Sequence, residues 1–224
     1  MERLYKTLLS LFRCFYPRYH YSGPDQAVTP AVYIVHHQNL RGPITVLAWL
    51  PWHLRLWALS VFFTQKDCFR HYMDYTFTKR FGFPKIVAYI IVWPISFLLP
   101  LLMKLINAIP VYRSRKAVTT FRESLSALTT GQSLLICPDI DYKDTGSNIG
   151  EIYSGFLNLE KYYYKKTSQH LAFIPLYIDH AKRLIVQGDT ILFPDEGNFE
   201  EKKSLIAEKL KQEINKLANN PVKP

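Results

Sequence analysis

The chain has 224 residues, 48% of them hydrophobic and 21% charged, which excludes intrinsic disorder and suits one domain with a sizeable core. A net charge of +10 directs it towards nucleic acid, an anionic membrane surface or a phosphorylated substrate without choosing among them. Three widely spaced cysteines, Cys14, Cys68 and Cys137, exclude a disulfide framework and a cysteine metal site, and fit a reducing compartment.

The N-terminus opens on "MERLYKTLLSLFRCFYPRYHY". Arg13 interrupts its apolar character and no small-residue cleavage site follows, so it does not read as a signal peptide. Leu4, Leu8, Phe12 and Phe15 recur at helical spacing, with Lys6, Ser10 and Arg13 on another face, and Pro17 ends the pattern. Two readings stay open: a helix lying in a membrane surface, and a helix packed on the domain. The expected division is a membrane-surface helix over 1–21 and a folded domain over 22–224.

"AVYIVHH" reads as a short buried strand that stops at two histidines. "PITVLAWLPW" is a helical or mixed apolar segment, and "RLWALSVFF" a second strand. Residues 65–84 are polar, aromatic and expected to be helical. Residues 86–103, "IVAYIIVWPISFLLPLLM", carry no charge and reach the lower length of a membrane span. Pro94 and Pro100 favour a pair of short buried or interfacial helices over one straight span. Lys79, Arg80, Lys85 and Lys104 flank this segment in a way that suits lipid headgroups.

"NAIPVYRSR" is a short strand ending in basic residues. "KAVTTFRESLSALTTG" is a helix closed by Gly131, "QSLLICPD" a buried strand, and "DYKDTGSN" a turn-rich loop. "IGEIYSGFLNLEKYYYKK" begins a helix, "LAFIPLYID" and "LIVQGDTILF" form a hairpin through "HAKR", and the tail is a charged amphipathic helix. Strands alternating with helices give an α/β sandwich, a mixed central sheet flanked by helices.

Polar groups gather where apolar strands run out: His36-His37-Gln38-Asn39, Arg113-Ser114-Arg115 and Asp139-Ile140-Asp141. Strand ends are where α/β sheets build sites. A histidine takes a proton from a hydroxyl, and arginines hold a phosphate bidentately. His71, His170 and His180 lack matching partners and read as surface residues.

At these positions the chain resembles the glycerolipid acyltransferase superfamily. "HHQNLRG" is similar to its N-H-x-x-x-x-D block, "NAIPVYR" to G-x-I-x-V-x-R, "CPDIDYK" in outline to F-P-E-G-T-R-S, and "AFIPLYI" to its fourth, proline-containing strand. Order and spacing agree over residues 30–180. The resemblance implies a single acyltransferase-like domain in which His37 is the base and His36 fills the asparagine position. Gly42 stands where the family has its orienting aspartate, and Ile140-Asp141-Tyr142 replaces Gly-Thr-Arg. His37 then needs another partner, for which Asp139, Asp141 and Asn39 are the candidates. A Gly42→Asp variant would tell whether an orienting acid has been lost. Arg113, Arg115, Asp141 and Gln38 are the substrate-binding candidates.

The implied reaction moves a fatty acyl group from acyl-CoA or acyl carrier protein to a hydroxyl of a lysophospholipid or glycerol phosphate, as in phospholipid biosynthesis. It needs no metal and no cofactor beyond the thioester co-substrate. The expected location is the cytoplasmic face of the membrane, peripheral or monotopic. The alternative is an inactive member of the fold that binds lipid or acyl chains. Nucleic acid is not expected as a partner, because the cations are scattered and no RNA-binding signature appears.

Overall fold

A computed structural model of the chain describes residues 2–113 and 116–219. It divides into two compact units: a larger one, 8–55 with 121–224, and a smaller one, 1–7 with 56–120. Arg115, and Ser114 before it, lie outside the described residues.

The larger unit is built on five strands in the order β1 (His20–Ser22), β7 (Leu184–Gln187), β6 (Ala172–Asp179), β2 (Ala31–Val35), β5 (Ser133–Ile136). β2 runs parallel to both β5 and β6, β6 and β7 form the antiparallel hairpin, and β1 pairs parallel with β7. The sheet is therefore mixed, as expected from sequence, and β1 is an addition hidden in the short polar run "HYS". Every residue of β2 and β5 is buried. Unbroken apolar runs of this kind mark strands covered on both faces.

Helix α7 (Phe199–Asn219) packs on β6 and buries Ile206, Leu210 and Ile214, a stripe at helical spacing. Its Asn215 clamps the loop after β5: the Ile149 N–H donates to Asn215 Oδ1 at 2.7 Å and Asn215 Nδ2 donates to the Ile149 carbonyl at 3.1 Å. Helix α1 (Glu2–Phe15) is tied to α2 (Arg41–Trp49) through its C-terminal half. Arg13 Nε donates to the Ala48 carbonyl at 2.6 Å and its guanidinium lies 5.2 Å from the Trp49 ring centre. Leu11, Phe12 and Phe15 remain exposed. Helix α6 (Asn158–Thr167) precedes β6, and α5 (Ala117–Thr129) ends as expected at Gly131, φ +80°.

The smaller unit pairs β3 (Leu54–Leu59), from Trp57 onwards, in parallel with β4 (Ile109–Val111). Helix α3 (Gln65–His71) runs into a π-helical stretch, Tyr72–Arg80. The expected pair of short helices is one continuous helix, α4 (Lys85–Leu105), with Pro94 and Pro100 inside it. Each proline removes its own N–H from the ladder and crowds the carbonyl four residues earlier, a disturbance confined to one turn. The Ser96 hydroxyl between them donates to the Trp93 carbonyl at 2.8 Å and accepts from Gln65 Nε2 at 3.3 Å.

His170 is no isolated surface residue. Its Nδ1 meets Glu160 Oε1 at 2.5 Å and its Nε2 meets Asp195 Oδ1 at 2.9 Å, while Glu160, buried at 3% exposure, also accepts the Leu171 N–H at 2.8 Å. Burial works against the charged ring, but the hydrogen bonds that it donates to Asp195 and Glu160 outweigh it, and the pKa is raised. A raised folded pKa adds stability that is complete below the ordinary value of about 6.5 and fades as pH climbs through the folded value. His170→Gln is expected to lose that pH-dependent part, which urea midpoints at pH 6 and pH 9 will show as a smaller difference than in the native chain.

Candidate active site

The first site segment starts where β2 leaves the sheet. Gln38, Asn39 and Leu40 all take left-handed backbone angles, φ 45°, 51° and 78°, before α2 begins at Arg41. Left-handed geometry costs a non-glycine residue roughly 1–2 kcal/mol, so three in succession require support. The buried Gln38 supplies it. Its Nε2 donates to the Gly146 carbonyl at 3.1 Å, its Oε1 accepts from His180 Nε2 at 2.9 Å, and His180 Nδ1 accepts from the Tyr19 hydroxyl at 2.8 Å. Burial, together with the charge of Arg41, lowers the His180 pKa, consistent with a neutral ring that donates on one side and accepts on the other. Gln38, expected to bind substrate, holds this turn through both ends of its amide. His180 and Tyr19 belong to the same chain although 161 positions separate them; nothing local in the sequence links them.

The third segment reaches the same place. Pro138 and Ile140 pair their backbone with Tyr153 and Glu151, which fixes Asp139 below the histidines. The carboxylate has two partners. Its Oδ2 accepts the His37 backbone N–H at 3.0 Å, and its Oδ1 meets Nδ1 of His36 in a short hydrogen bond. Both side chains of the His36–Asp139 pair are 3% exposed. His36 Nε2 is buried and finds no hydrogen-bond partner among the described residues.

The ring of His37 has a different environment. Its Nδ1 accepts the Leu40 N–H at 3.1 Å and its ring lies edge-on to Tyr142, centres 5.9 Å apart. Burial lowers its pKa, against the opposing pull of the Asp139 charge and the Tyr142 carbonyl. A neutral His37 that accepts at Nδ1 carries its proton on Nε2. A neutral His36 that donates from Nδ1 to a carboxylate leaves the Nε2 lone pair available. In their neutral forms the two adjacent imidazoles take opposite tautomers, and the carboxylate expected to serve His37 holds the ring of His36.

The other candidates sit as follows. Asn39 is exposed, and its backbone N–H donates to the Tyr142 carbonyl at 3.2 Å. Asp141 caps its own turn, Oδ1 accepting the Lys143 N–H at 3.0 Å. Arg113 belongs to the smaller unit, where it is exposed and where its charge adds to the burial that lowers the His71 pKa.

Gly42 is not a position from which a side chain has merely been deleted. A Cβ built there lies 1.9 Å from the His36 carbonyl oxygen and 3.2 Å from that of His37. The first turn of α2 packs backbone to backbone against the end of β2, and the Gly42 N–H donates to the His37 carbonyl at 3.2 Å. Glycine is required by that approach, so a carboxylate cannot be restored at 42 without moving the site.

Mixed strands with flanking helices, and a histidine turn and a carboxylate turn brought together at strand ends, define an α/β fold with a candidate site at the ends of its strands. The particular likeness is to the crystal structure of the 1-acyl-sn-glycerophosphate (LPA) acyltransferase PlsC from Thermotoga maritima. The match has a TM-score of 0.52 and 13% sequence identity, and covers 99% of this chain and 80% of that one. The two share a fold. No protein-family model matches the chain, and no curated protein matches it in sequence.

Proposed function

We propose that this chain is an acyltransferase of lipid metabolism, moving a fatty acyl group from a thioester, acyl-CoA or acyl carrier protein, to a hydroxyl of a lysophospholipid or glycerol phosphate. The observation that carries the reading is the buried His36–Asp139 pair with its unpartnered Nε2, set in a fold shared with an LPA acyltransferase. Asp139 fixes the ring and its tautomer, as the carboxylate of a triad does. Nε2 takes the proton of the acceptor hydroxyl. The oxygen attacks the thioester carbonyl, the carbon–sulfur bond breaks, and the imidazolium returns the proton to the departing thiolate. His37 ties the turn together through Leu40 and Tyr142. The proposed chemistry calls for no metal.

A second reading gives the proton transfer to His37. Its greater exposure than His36 favours it. It requires the ring to give up the Leu40 N–H and change tautomer. The non-catalytic, lipid-binding alternative draws on the deep burial of His36 Nε2.

The exposed apolar side of α1 and the net charge of +10 support work at an anionic membrane surface, on the cytoplasmic side in keeping with the unpaired cysteines. Release of free thiol from acyl-CoA, measured with a panel of lysolipids for the native chain and for His36→Ala and His37→Ala, tests the assignment. Loss in His36→Ala with substantial activity left in His37→Ala is expected. The reverse pattern moves the base to His37, and no thiol release from the native chain with any acceptor leaves only a binder.

A further inference from the structure

Helix α4 has two unlike faces. Ala88, Val92, Ser96, Pro100 and Met103 form a buried stripe against the smaller unit. Facing away are Ile86, Ile90, Trp93, Phe97 and Leu101, all exposed, Ile86 at 77% and Trp93 at 53%. A contiguous apolar surface of this kind marks a docking site. Cations bracket it: Lys79, Arg80 and Lys85 at one end, Lys104 at the other. Beside its N-terminus Phe77, Phe81 and Phe83 cluster with ring centres 5.7–6.1 Å apart, and Arg80 lies 5.3 Å from the Phe81 ring centre. Apolar side chains in the middle, with aromatics and cations at the ends, match the layering of a bilayer surface.

We infer that α4 is inserted lengthwise into the outer layer of an anionic bilayer, its Ile90–Trp93–Phe97 face among the acyl chains and its inner stripe still on the protein. Length and composition alone also allow a crossing: the helix has 21 residues and a mean hydropathy of 2.3 over its best window. The packing favours the in-plane pose. Ser96 is hydrogen-bonded to Gln65 of α3, Phe69 of α3 meets Tyr89 edge-on at 5.6 Å, and α3 also carries Lys66, Asp67 and Arg70. A crossing helix would take these charges into hydrocarbon, where each is strongly disfavoured. Lying flat keeps them outside.

The inference concerns the lipid surface of the proposed function and is independent of which histidine is the base. Its test uses the full chain with vesicles of phosphatidylglycerol and phosphatidylcholine carrying brominated acyl chains. The quenched signal is the difference in tryptophan emission between the native chain and Trp93→Phe. Bromines close to the headgroups are expected to quench Trp93 most strongly. Ile90→Glu with Phe97→Glu is expected to weaken vesicle binding at least tenfold, on the order of the cost of placing two charges among acyl chains. Strongest quenching by bromines at the chain ends means a crossing helix and overturns the pose. Vesicle binding with no Trp93 quenching overturns the role of α4 while leaving a lipid surface reached through α1. A lipid-free dimer that shields Trp93 assigns the face to a second copy and overturns it as well. Thiol release with a detergent-dispersed lysolipid reads the catalytic proposal separately.

Discussion

Asp139→Asn is expected to lower acyl transfer by about three to four orders of magnitude with the fold intact, the scale seen when a triad loses its orienting carboxylate. The substitution keeps shape and changes one property. The amide oxygen can still accept the His37 backbone N–H, now met by Oδ2 at 3.0 Å. The amide nitrogen would then face Nδ1 of His36 as a donor, reversing the ring's tautomer and placing a proton on Nε2 where the acceptor hydroxyl must deliver its own. Thiol-release rates on both proteins, beside their thermal melts, check the result. A loss smaller than about threefold with unchanged stability would remove Asp139 from the chemistry and leave the pair a structural one.

Gly42→Ala is expected to cost more than about 3 kcal/mol of stability, beyond the usual range for overpacking by a methyl group. The added carbon would stand 1.9 Å from a backbone carbonyl oxygen, and neither partner is a flexible side chain that can swing away. Either α2 retreats or the end of β2 does, and both histidines move. Urea denaturation measures the loss. Gly42→Asp is expected to lose activity for the same reason, and a Gly42→Asp chain that is both stable and more active would show that the position had merely been emptied of its acid.

Much of the frame is legible in the sequence, because short buried strands bounded by polar turns leave a strong pattern. The runs ending at His37, Asp139 and Asp179 all became strands or strand ends of the larger unit. The roles within the first block are harder to read. β2 is buried on both faces, so strand alternation does not say which of two adjacent histidines turns towards the third block, and three left-handed residues then redirect the chain. Gly42 reads as a missing side chain when its neighbours are unknown; the close approach that demands it involves a carbonyl of the preceding strand. The continuity of α4 was hidden by two prolines whose disruption is local. His170 and His180 depend on partners as far away as Asp195 and Tyr19, and no spacing rule connects those.

The left-handed run at 38–40 restricts what evolutionary drift can do to this turn. Valine, isoleucine and threonine are effectively shut out at three consecutive positions, since branching at Cβ makes positive φ prohibitive, and Gln38 must in addition satisfy two neighbours at once. Exposed positions of the loop beyond Asp139, such as Lys143 and Thr145, carry no positive φ and can change more freely than these three residues, so substitutions that leave the His36–Asp139 pair in place fall first on that loop.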